Sequence, residues 1–426
     1  MNLYLGLDFG TSGARAIVID SNREIQAQTE YIWETTSNYK LTDIWRGALY
    51  SLVSDIPQKL RREIRVIAID GTSATVLLCD KYGISVTEAL LYNDSRGVEM
   101  MDKLRSIAPP NHPVVSATSS LAKLLWLIKN VPLQDEIYYF LHQADWLGFL
   151  LHGNLGVSDY HNALKLGYDV GNLSYPEWLI NFVSSEVKEK IRLPDVVTPG
   201  AVVGNVTAEV ANSLGLSDEC VVCAGTTDSI AAFLASGATT PGEAVTSLGS
   251  TLVLKLLSRT RVDDAKYGIY SHRLGDLWLV GGASNTGGAV LRKFFTDAEL
   301  ESLSGQIDAD TESGLDYYPL LQKGDRFPIN DPELLPRLTP RPENPVLFLH
   351  GLLESIARIE SQGYKMLQAL SAAPVKRVFS AGGGSKNTTW TAIRGRLLQV
   401  PMVKAVSTDA AYGSAILAMG VEGRSL

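Results

Sequence analysis

The first turn of the chain combines residue types that can hold a phosphate group and its counter-cation. The apolar segment Leu3 to Leu7 runs into Asp8, and Phe9-Gly10-Thr11-Ser12-Gly13 follows before the next apolar segment. In such a hairpin, backbone N–H groups and hydroxyls can bind an anion while the carboxylate binds its cation. An ordinary β-hairpin with a glycine-containing turn has the same pattern. This turn alone therefore leaves a phosphate site and a structural turn both open.

Three later turns have a similar composition, and each also follows an apolar segment. They are Gly225-Thr226-Thr227-Asp228, Gly249-Ser250-Thr251 and Ser380-Ala381-Gly382-Gly383-Gly384-Ser385, the last of which leads into Lys386 and Asn387. Consecutive glycines let the backbone approach a flat or anionic ligand closely. Each could be a plain tight turn, but their recurrence favours a nucleotide phosphate site.

The composition is that of a globular enzyme that acts on small molecules. With 426 residues, 45% of them hydrophobic and 20% charged, the chain is long enough for about two or three domains. A net charge of −8 without a dense Lys/Arg run argues against a nucleic-acid or membrane-surface partner. No apolar run is long enough to span a membrane and no leader pattern opens the chain, so we expect a cytoplasmic protein.

Other common chemistries lack their motifs in this sequence. The three cysteines argue against a disulfide framework, and the C-x-x-C spacing of Cys220 and Cys223 falls inside an apolar strand pattern, which favours core packing over redox chemistry. No G-x-x-x-x-G-K-[ST], G-x-S-x-G or H-E-x-x-H motif occurs, and the histidines have no ligand-like spacing. Structural zinc and serine hydrolase chemistry are therefore weak alternatives.

Apolar periodicity predicts two successive α/β units that would position these turns. The first has predicted strands at 3–8, 14–19, 24–33, 65–70 and 75–79, a helix at 42–62, a mostly helical region at 94–214 and a strand at 220–224. The second has predicted strands near 243–248, 251–257 and 276–281, a proline-rich loop at 328–345, a helix at 349–371, a strand at 375–380 and a last helix at about 408–419. The segment Val245 to Leu254 repeats the strand, glycine-hydroxyl turn, strand plan of the chain's opening.

The opening segment Asp8-Phe9-Gly10-Thr11-Ser12 resembles that of the FGGY carbohydrate kinases, members of the superfamily that includes actin, hexokinase and the heat-shock chaperones. Later segments resemble other motifs of the same family in the same order. They are Tyr92 to Arg96, Ser120 to Leu127, Gly225 to Asp228, Ser247 to Thr251, Gly324 to Pro332, Glu354 to Ala357, Ala381 to Asn387 and Ala410 to Ala415.

The resemblance implies a fold of two ribonuclease-H-like α/β domains of the actin and hexokinase type, with a catalytic cleft between them. We expect the first domain, for sugar, phosphate and Mg²⁺, at residues 1–235 and the second, for ATP, at residues 236–426. The last helix could pack on either domain. The implied activity is transfer of the γ-phosphoryl group of ATP to a sugar hydroxyl, a reaction that depends on positioning and charge neutralisation.

The resemblance also implies a role for individual residues. Asp228 would be the general base, and Asp8 would hold Mg²⁺ through water, with Thr11 also in the catalytic set. Phosphates would be bound by Gly10, Thr11, Ser12, Gly249, Ser250 and Thr251. Adenosine would be bound by Gly383, Gly384 and Asn387.

The sugar is inferred from the segment Ile69 to Val76. It stands where glycerol kinases have N-Q-R-E-T and typical xylulokinases G-Q-M-H-G, but this chain has Thr72, Ser73 and Ala74. The chain most resembles the short pentulose kinases of the D-ribulose type, so we expect D-ribulose, with Ser73, Asp8 and Asp228 at its hydroxyls. Ser73 could instead be a strand-edge hydroxyl bonded to backbone.

Two alternatives remain open on the sequence. One is another sugar of the family, namely D-xylulose, L-ribulose or glycerol. The other is an ATP-binding switch of the actin and chaperone kind that phosphorylates nothing. The segments around Asp228, Asn93 to Arg96 and Gly324 to Pro332 argue against the second alternative.

We expect Asp228→Ala to abolish sugar phosphorylation and to leave the fold intact, because loss of one cleft carboxylate costs little stability. A coupled kinase assay together with circular dichroism checks both parts. Undiminished turnover in a folded variant would exclude Asp228 as the base.

Overall fold

A computed structural model describes residues 2–33, 40–110, 112–134, 136–186 and 190–422. The chain forms two compact units. The first comprises Met1–Ala235 and Asp409–Leu426, and the second comprises Ser236–Thr408. The last residues of the predicted second domain, 423–426, lie outside the described residues.

The strands are short to medium in length and are distributed along the chain. They are β1 (Leu3–Phe9), β2 (Gly13–Asp20), β3 (Ile25–Ile32), β4 (Ile64–Gly71), β5 (Val76–Cys79), β6 (Tyr138–His142), β7 (Val157–Asp159), β8 (Ile191–Arg192), β9 (Asp195–Val197), β10 (Val202–Asn205), β11 (Val221–Cys223), β12 (Thr226–Thr227), β13 (Glu243–Leu248), β14 (Leu252–Ser258), β15 (Tyr270–Leu274), β16 (Leu277–Ser284), β17 (Arg377–Ala381) and β18 (Met402–Lys404).

The helices connect these strands and cover the sheets. They are α1 (Leu41–Asp55), α2 (Gln58–Arg61), α3 (Met101–Ile107), α4 (Ser120–Asn130), α5 (Gln143–His152), α6 (Tyr160–Ala163), α7 (Glu177–Glu186), α8 (Ala208–Leu214), α9 (Asp228–Ala235), α10 (Gly288–Phe294), α11 (Asp297–Ser304), α12 (Pro345–Ala369), α13 (Thr388–Leu398) and α14 (Ala410–Gly420).

The main sheet of the first unit has the strand order β10-β11-β4-β1-β2-β3, and β12 also pairs with β4. Strands β1, β2 and β3 form an antiparallel meander, whereas β4 is parallel to both β1 and β11. Alternate residues of β1 point to opposite faces, and Leu3, Leu5 and Leu7 pack into a core that also contains Trp45 and Leu49 of α1. The other face carries Gly6 and Asp8.

Helix α14 covers that second face and belongs to the first unit. A Cβ on Gly6 would lie 2.0 Å from the carbonyl oxygen of Ala411, so only glycine allows the helix to approach β1 this closely. A Cβ on Gly413 would lie 1.7 Å from the carbonyl oxygen of Ala231 in α9. Glycines therefore permit the close packing of α14 against both β1 and α9.

The sheet of the second unit has the order β15-β16-β14-β13-β17-β18. Strands β13, β14 and β16 form an antiparallel meander, and β17 is parallel to both β13 and β18. This is the plan of β1, β2, β3, β4 and β11 in the first unit. The repeat predicted from Val245 to Leu254 is confirmed by this topology.

Several predicted elements have different bounds in the structure. The predicted helix at 42–62 is two helices, because the chain is extended at Ile56 before Pro57. The region at 94–214 contains the strands β6 to β10 as well as helices. These strands are short apolar runs that periodicity does not distinguish from buried helix. Helix α12 starts earlier than predicted, with Asn344 as its N-cap and Pro345 in its first turn.

The cysteines are core residues, as predicted. Cys79, Cys220 and Cys223 are free and buried. Burial raises the pKa of both Cys220 and Cys223 to about 12, so neither thiol forms the thiolate that redox exchange requires. Among the described residues, no helix is long and apolar enough to cross a lipid bilayer.

A buried ion pair fixes the strands that lead into two of the glycine-rich turns. Arg394 and Glu360 are both fully buried, with Nε–Oε2 and Nη2–Oε1 distances of 2.6 and 2.7 Å. The guanidinium also donates to the hydroxyl of Ser380 on β17 at 2.6 Å, and Glu360 accepts from the hydroxyl of Thr246 on β13 at 2.6 Å. The pair therefore joins α12 and α13 to the adjacent parallel strands β13 and β17 of this sheet.

We expect Glu360→Gln to lower the free energy of unfolding by roughly 3–5 kcal/mol, because it leaves the Arg394 charge buried without its counter-ion. Urea unfolding followed by circular dichroism measures the change. The matched control is Glu333→Gln, at a side chain that is 72% exposed and pairs with Lys323, where the change should stay within about 1 kcal/mol. Equal effects of the two substitutions would contradict this account of the pair.

Candidate active site

Asp8 lies near the end of β1, beside a second acidic residue. In the parallel pairing of β1 with β4, Asp8 is opposite Asp70. Asp70 is fully buried, and its Oδ2 accepts a hydrogen bond of 2.6 Å from the hydroxyl of Ser414 on α14. The sequence interpretation missed Asp70, although its place before Gly71 at the end of an apolar strand matches that of Asp8.

The two neighbouring carboxyl groups both have raised pKa values. Burial, together with the nearby negative charges of Asp228 and Asp409, raises the pKa of Asp8 to about 6. Burial and the charge of Asp8 raise the pKa of Asp70 well above its ordinary value. Oδ1 of Asp70 is buried without a hydrogen-bond donor among the described residues. The interaction between the two carboxyl groups lowers the pKa of Asp8 and raises that of Asp70, which favours the negative charge on Asp8.

Asp228 is the first residue of α9 and follows β12 directly. Thr226 of β12 pairs with Asp70 of β4, so the end of β12 lies beside the Asp8 and Asp70 pair. Asp228 is half-buried, and its Oδ1 accepts from the backbone N–H of Ser229 at 2.6 Å. A Cβ on Gly225 would lie 1.9 Å from the carbonyl oxygen of Ile69, which makes glycine necessary at the start of this turn.

A buried polar network supports the turn from beneath. Nδ1 of His161 lies 2.8 Å from the hydroxyl of Thr226, and Nδ2 of Asn162 donates to the Thr226 carbonyl at 3.2 Å. Asp159 accepts from Nδ2 of the same Asn162 at 2.6 Å. Burial raises the pKa of Asp159 to about 7. These residues were not singled out from the sequence, because nothing in their spacing links 159–162 to 226.

A fourth carboxylate and one arginine complete the charges near Asp8. Asp409 caps the N-terminus of α14 and lies 4.0 Å from the guanidinium of Arg15. Arg15 pairs with Asp8 across β1 and β2 in register, and its side chain also contacts Glu30 at 3.0 Å. The site therefore holds more negative than positive charge.

The opening turn lies next to this site along β1 and β2. The backbone N–H of Gly10 donates to the carbonyl of Gly13 at 3.0 Å, and Trp33 donates through Nε1 to the Thr11 carbonyl at 3.1 Å. Thr11 and Ser12 are exposed. The tie to Trp33 fixes the backbone of the turn and leaves its hydroxyls on the surface.

Ser73 is placed on the same edge of the sheet, in the turn that follows β4. It is half-buried, whereas Thr72, Ala74 and Thr75 are buried. The first unit thus brings together Asp8, Asp228 and the ends of β1, β4 and β12, with Ser73 three residues after Asp70.

The second unit contains a cavity of about 580 Å³ at the turns after β13 and β17. This volume is in the range of small-molecule binding sites. Predicted site residues that line it are Gly249, Gly383, Gly384 and Asn387, and Arg292, Ser304 and Trp390 line it too. Ser250 and Thr251 follow Gly249 in the chain but are not among its lining residues.

Asn387 organises one wall of this cavity. Its Oδ1 accepts from the backbone N–H of Trp390 at 2.9 Å and so caps α13, while its Nδ2 donates to the Ser304 hydroxyl of α11 at 2.8 Å. A Cβ on Gly384 would lie 2.6 Å from the Trp390 ring, whereas a Cβ on Gly383 would meet only Arg292, at 3.8 Å. Gly384 is therefore required by packing, and Gly383 leaves open space.

Among the described residues, no group of three or more His, Cys, Asp or Glu side chains is arranged to hold a metal ion by itself. Asp8 does fit a divalent cation that reaches it together with phosphate oxygens and water, because burial and the charges of Asp228 and Asp409 raise its pKa and a cation would offset the repulsion among these charges.

Comparison with known proteins assigns the chain to a family. Residues 3–235 match the N-terminal domain, and residues 244–420 the C-terminal domain, of the FGGY family of carbohydrate kinases. The chain belongs to the FGGY family of carbohydrate kinases. It is an ATP-dependent carbohydrate kinase with a fold of two α/β domains, and both predictions are confirmed.

Named relatives cover nearly the whole chain. The xylulose kinase of Staphylococcus epidermidis is 22% identical over 98% of this chain and 87% of its own length. The xylulose kinase of Bacillus subtilis is 24% identical over 98% of this chain and 88% of its own length. The crystal structure of xylulose kinase from Rhodospirillum rubrum, 23% identical, superimposes with a TM-score of 0.84 over 100% of this chain and 91% of that one.

Proposed function

We propose that this carbohydrate kinase transfers the γ-phosphoryl group of ATP, with Mg²⁺, to D-ribulose and forms D-ribulose 5-phosphate in the cytoplasm. The observation that carries the choice of sugar is the turn after β4. It presents the small hydroxyl of Ser73 on the sheet edge that carries Asp8 and Asp228. The segment that contains Arg and Glu in the glycerol pattern and Met and His in the xylulose pattern has Thr72, Ser73 and Ala74 here.

Asp228 is the general base in this proposal. Its half-buried carboxylate at the start of α9 accepts the proton of the terminal hydroxyl of the sugar as that oxygen attacks the γ-phosphorus. The network of His161, Asn162 and Thr226 keeps the turn in place during the reaction. Ser73 and Asp8 bind other hydroxyls of the sugar and orient it.

The opening turn binds phosphates and, through Asp8, the metal ion in this proposal. In the first unit, Gly10, Thr11 and Ser12 bind phosphate oxygens, with Thr11 next to the transferred group. In the second unit, Gly249, Ser250 and Thr251 bind phosphate oxygens. Bound Mg²⁺ neutralises charge that develops on the phosphates. Asp8 holds the hydrated ion, and Asp70 keeps the Asp8 carboxylate oriented.

The adenosine part of ATP occupies the cavity of the second unit. Three observations support this placement of adenosine. They are the cavity volume of about 580 Å³, the open space at Gly383 and the position of the Asn387 amide between α11 and α13. Arg292 adds a cation to the lining, which suits a ligand that carries phosphates.

We expect Gly383→Val to raise the KM for ATP about tenfold or more, because the added side chain enters the cavity, where a nucleotide loses contact area. The unfolding midpoint should not change, since a Cβ at this position has space. Steady-state kinetics and thermal unfolding measure both quantities. Gly47→Ala, where a Cβ meets nothing within 4 Å, is the control. A KM for ATP equal to that of the control would remove Gly383 from the nucleotide site.

The sugar is tested with a coupled kinase assay over D-ribulose, D-xylulose, L-ribulose and glycerol. We expect kcat/KM for D-ribulose to exceed that of the other sugars by roughly tenfold, a difference that one well-placed hydroxyl contact can supply. Ser73→Ala should reduce this preference. A better rate with D-xylulose would favour the activity that named relatives carry. ATP hydrolysis without a phosphosugar product would contradict the kinase proposal itself.

A further inference from the structure

The turn formed by Thr72–Thr75, here called the 72–75 turn, is held in an unusual backbone conformation. Ala74 has φ of +63°, which is uncommon for a residue with a side chain. Such a conformation persists only where the surroundings fix it. The half-buried Ser73 comes directly before it, so whatever fixes Ala74 also fixes the position of Ser73.

Lys123 of α4 holds this turn from one side. The side chain is fully buried, and Nζ donates to the carbonyl of Ala74 at 2.7 Å. It also donates to the carbonyls of Leu91 and Tyr92, at 2.6 and 3.3 Å. An ammonium group has three protons, and these carbonyls use all of them. Lys123 therefore ties the 72–75 turn to the segment that continues into Asn93 to Arg96.

Gln143, the first residue of α5, holds the turn from the other side. Its side chain is buried, and Oε1 accepts from both the backbone N–H and the hydroxyl of Thr72, at 3.0 and 3.1 Å. The backbone N–H of Gln143 donates to the Thr75 carbonyl at 3.0 Å. Within the turn, the hydroxyls of Thr72 and Thr75 lie 2.5 Å apart. Ser73 is the residue of the turn whose side chain is not buried.

Burial of the Lys123 ammonium group carries a free-energy cost of desolvation. Burial lowers the pKa of Lys123 to about 7, and of the charges that face it Asp94 raises the pKa, whereas Lys165 and Arg96 lower it. An apolar side chain would pack at this depth without that cost but would leave backbone carbonyls unpaired. The arrangement is explained if the exact placement of the two segments matters for binding.

We propose that Lys123 and Gln143 are positioning residues that clamp the 72–75 turn and so set the affinity for the ketose. This inference rests on the proposed function, which places the sugar at Ser73. Neither side chain touches the substrate in this proposal. The clamp acts through the turn backbone, so its loss affects sugar binding and not ATP binding.

The test compares Lys123→Met and Gln143→Leu with the wild-type enzyme. We expect each to raise the KM for the ketose about tenfold, with the KM for ATP within about twofold and kcat reduced less than the ketose affinity. Lys129→Met, on the same helix with a side chain 58% exposed, should behave as wild type. If a clamp variant folds and its KM for the ketose is unchanged, the proposed role of that residue is overturned.

A third variant covers the case in which the clamp variants fail to fold. Ala74→Gly retains Lys123 and Gln143 and adopts φ of +63° without strain, but it makes the turn more flexible. We expect a rise of about two- to fivefold in the ketose KM alone, and an unchanged value would overturn the clamp. All KM values are measured with the sugar that the wild-type enzyme phosphorylates best. If the proposed substrate D-ribulose is wrong, the wild-type enzyme will phosphorylate another sugar better. That result is independent of the KM changes by which the clamp is tested.

Discussion

Repulsion among carboxyl groups is the constraint on which the first unit depends. Asp8, Asp70, Asp228 and Asp409 gather where β1, β4 and β12 end, and Arg15 alone among the groups that shift the pKa of Asp8 is positive. The pKa values of Asp8 and Asp70 are both raised, and the Ser414 hydroxyl donates a hydrogen bond to Oδ2 of Asp70. A divalent cation at this edge of the sheet would offset the remaining repulsion.

The same sheet plan occurs in both units and carries different residues at its strand ends. In each, an antiparallel meander continues into parallel strands, and turns at the strand ends carry the candidate site residues. The first unit places acidic side chains there, whereas the second places glycines and a capping asparagine around a cavity. The buried Arg394 and Glu360 pair behind β13 and β17 keeps that second set of turns in register. The two units thus share a sheet plan but differ in the residues of their turns, and the turn residues determine what chemistry each unit can perform.

Local signals in the sequence predicted the strand-turn plan and singled out candidate site residues, because strands and glycine turns are encoded by neighbours in the chain. Asp8 and Asp228 were found since each ends such a segment. Asp70 and Asp409 were missed, because their importance comes from register across β1 and β4 and from the return of α14, which no spacing reveals. Short strands such as β6 were not predicted from the sequence for a similar reason, because their pairing partners are distant in sequence.

The return of α14 also affects how the protein can be made. Strand β1 and helix α9 present Gly6 and the Ala231 carbonyl to a helix that is translated only after the whole of the second unit. Until then, the apolar surface beside Asp8 has no cover and Asp70 lacks its hydrogen bond from Ser414. The second unit is contiguous in sequence and can fold on the ribosome before the first is complete. The edge of the first unit that carries Asp8 and Asp70 is therefore completed late in the synthesis of the chain.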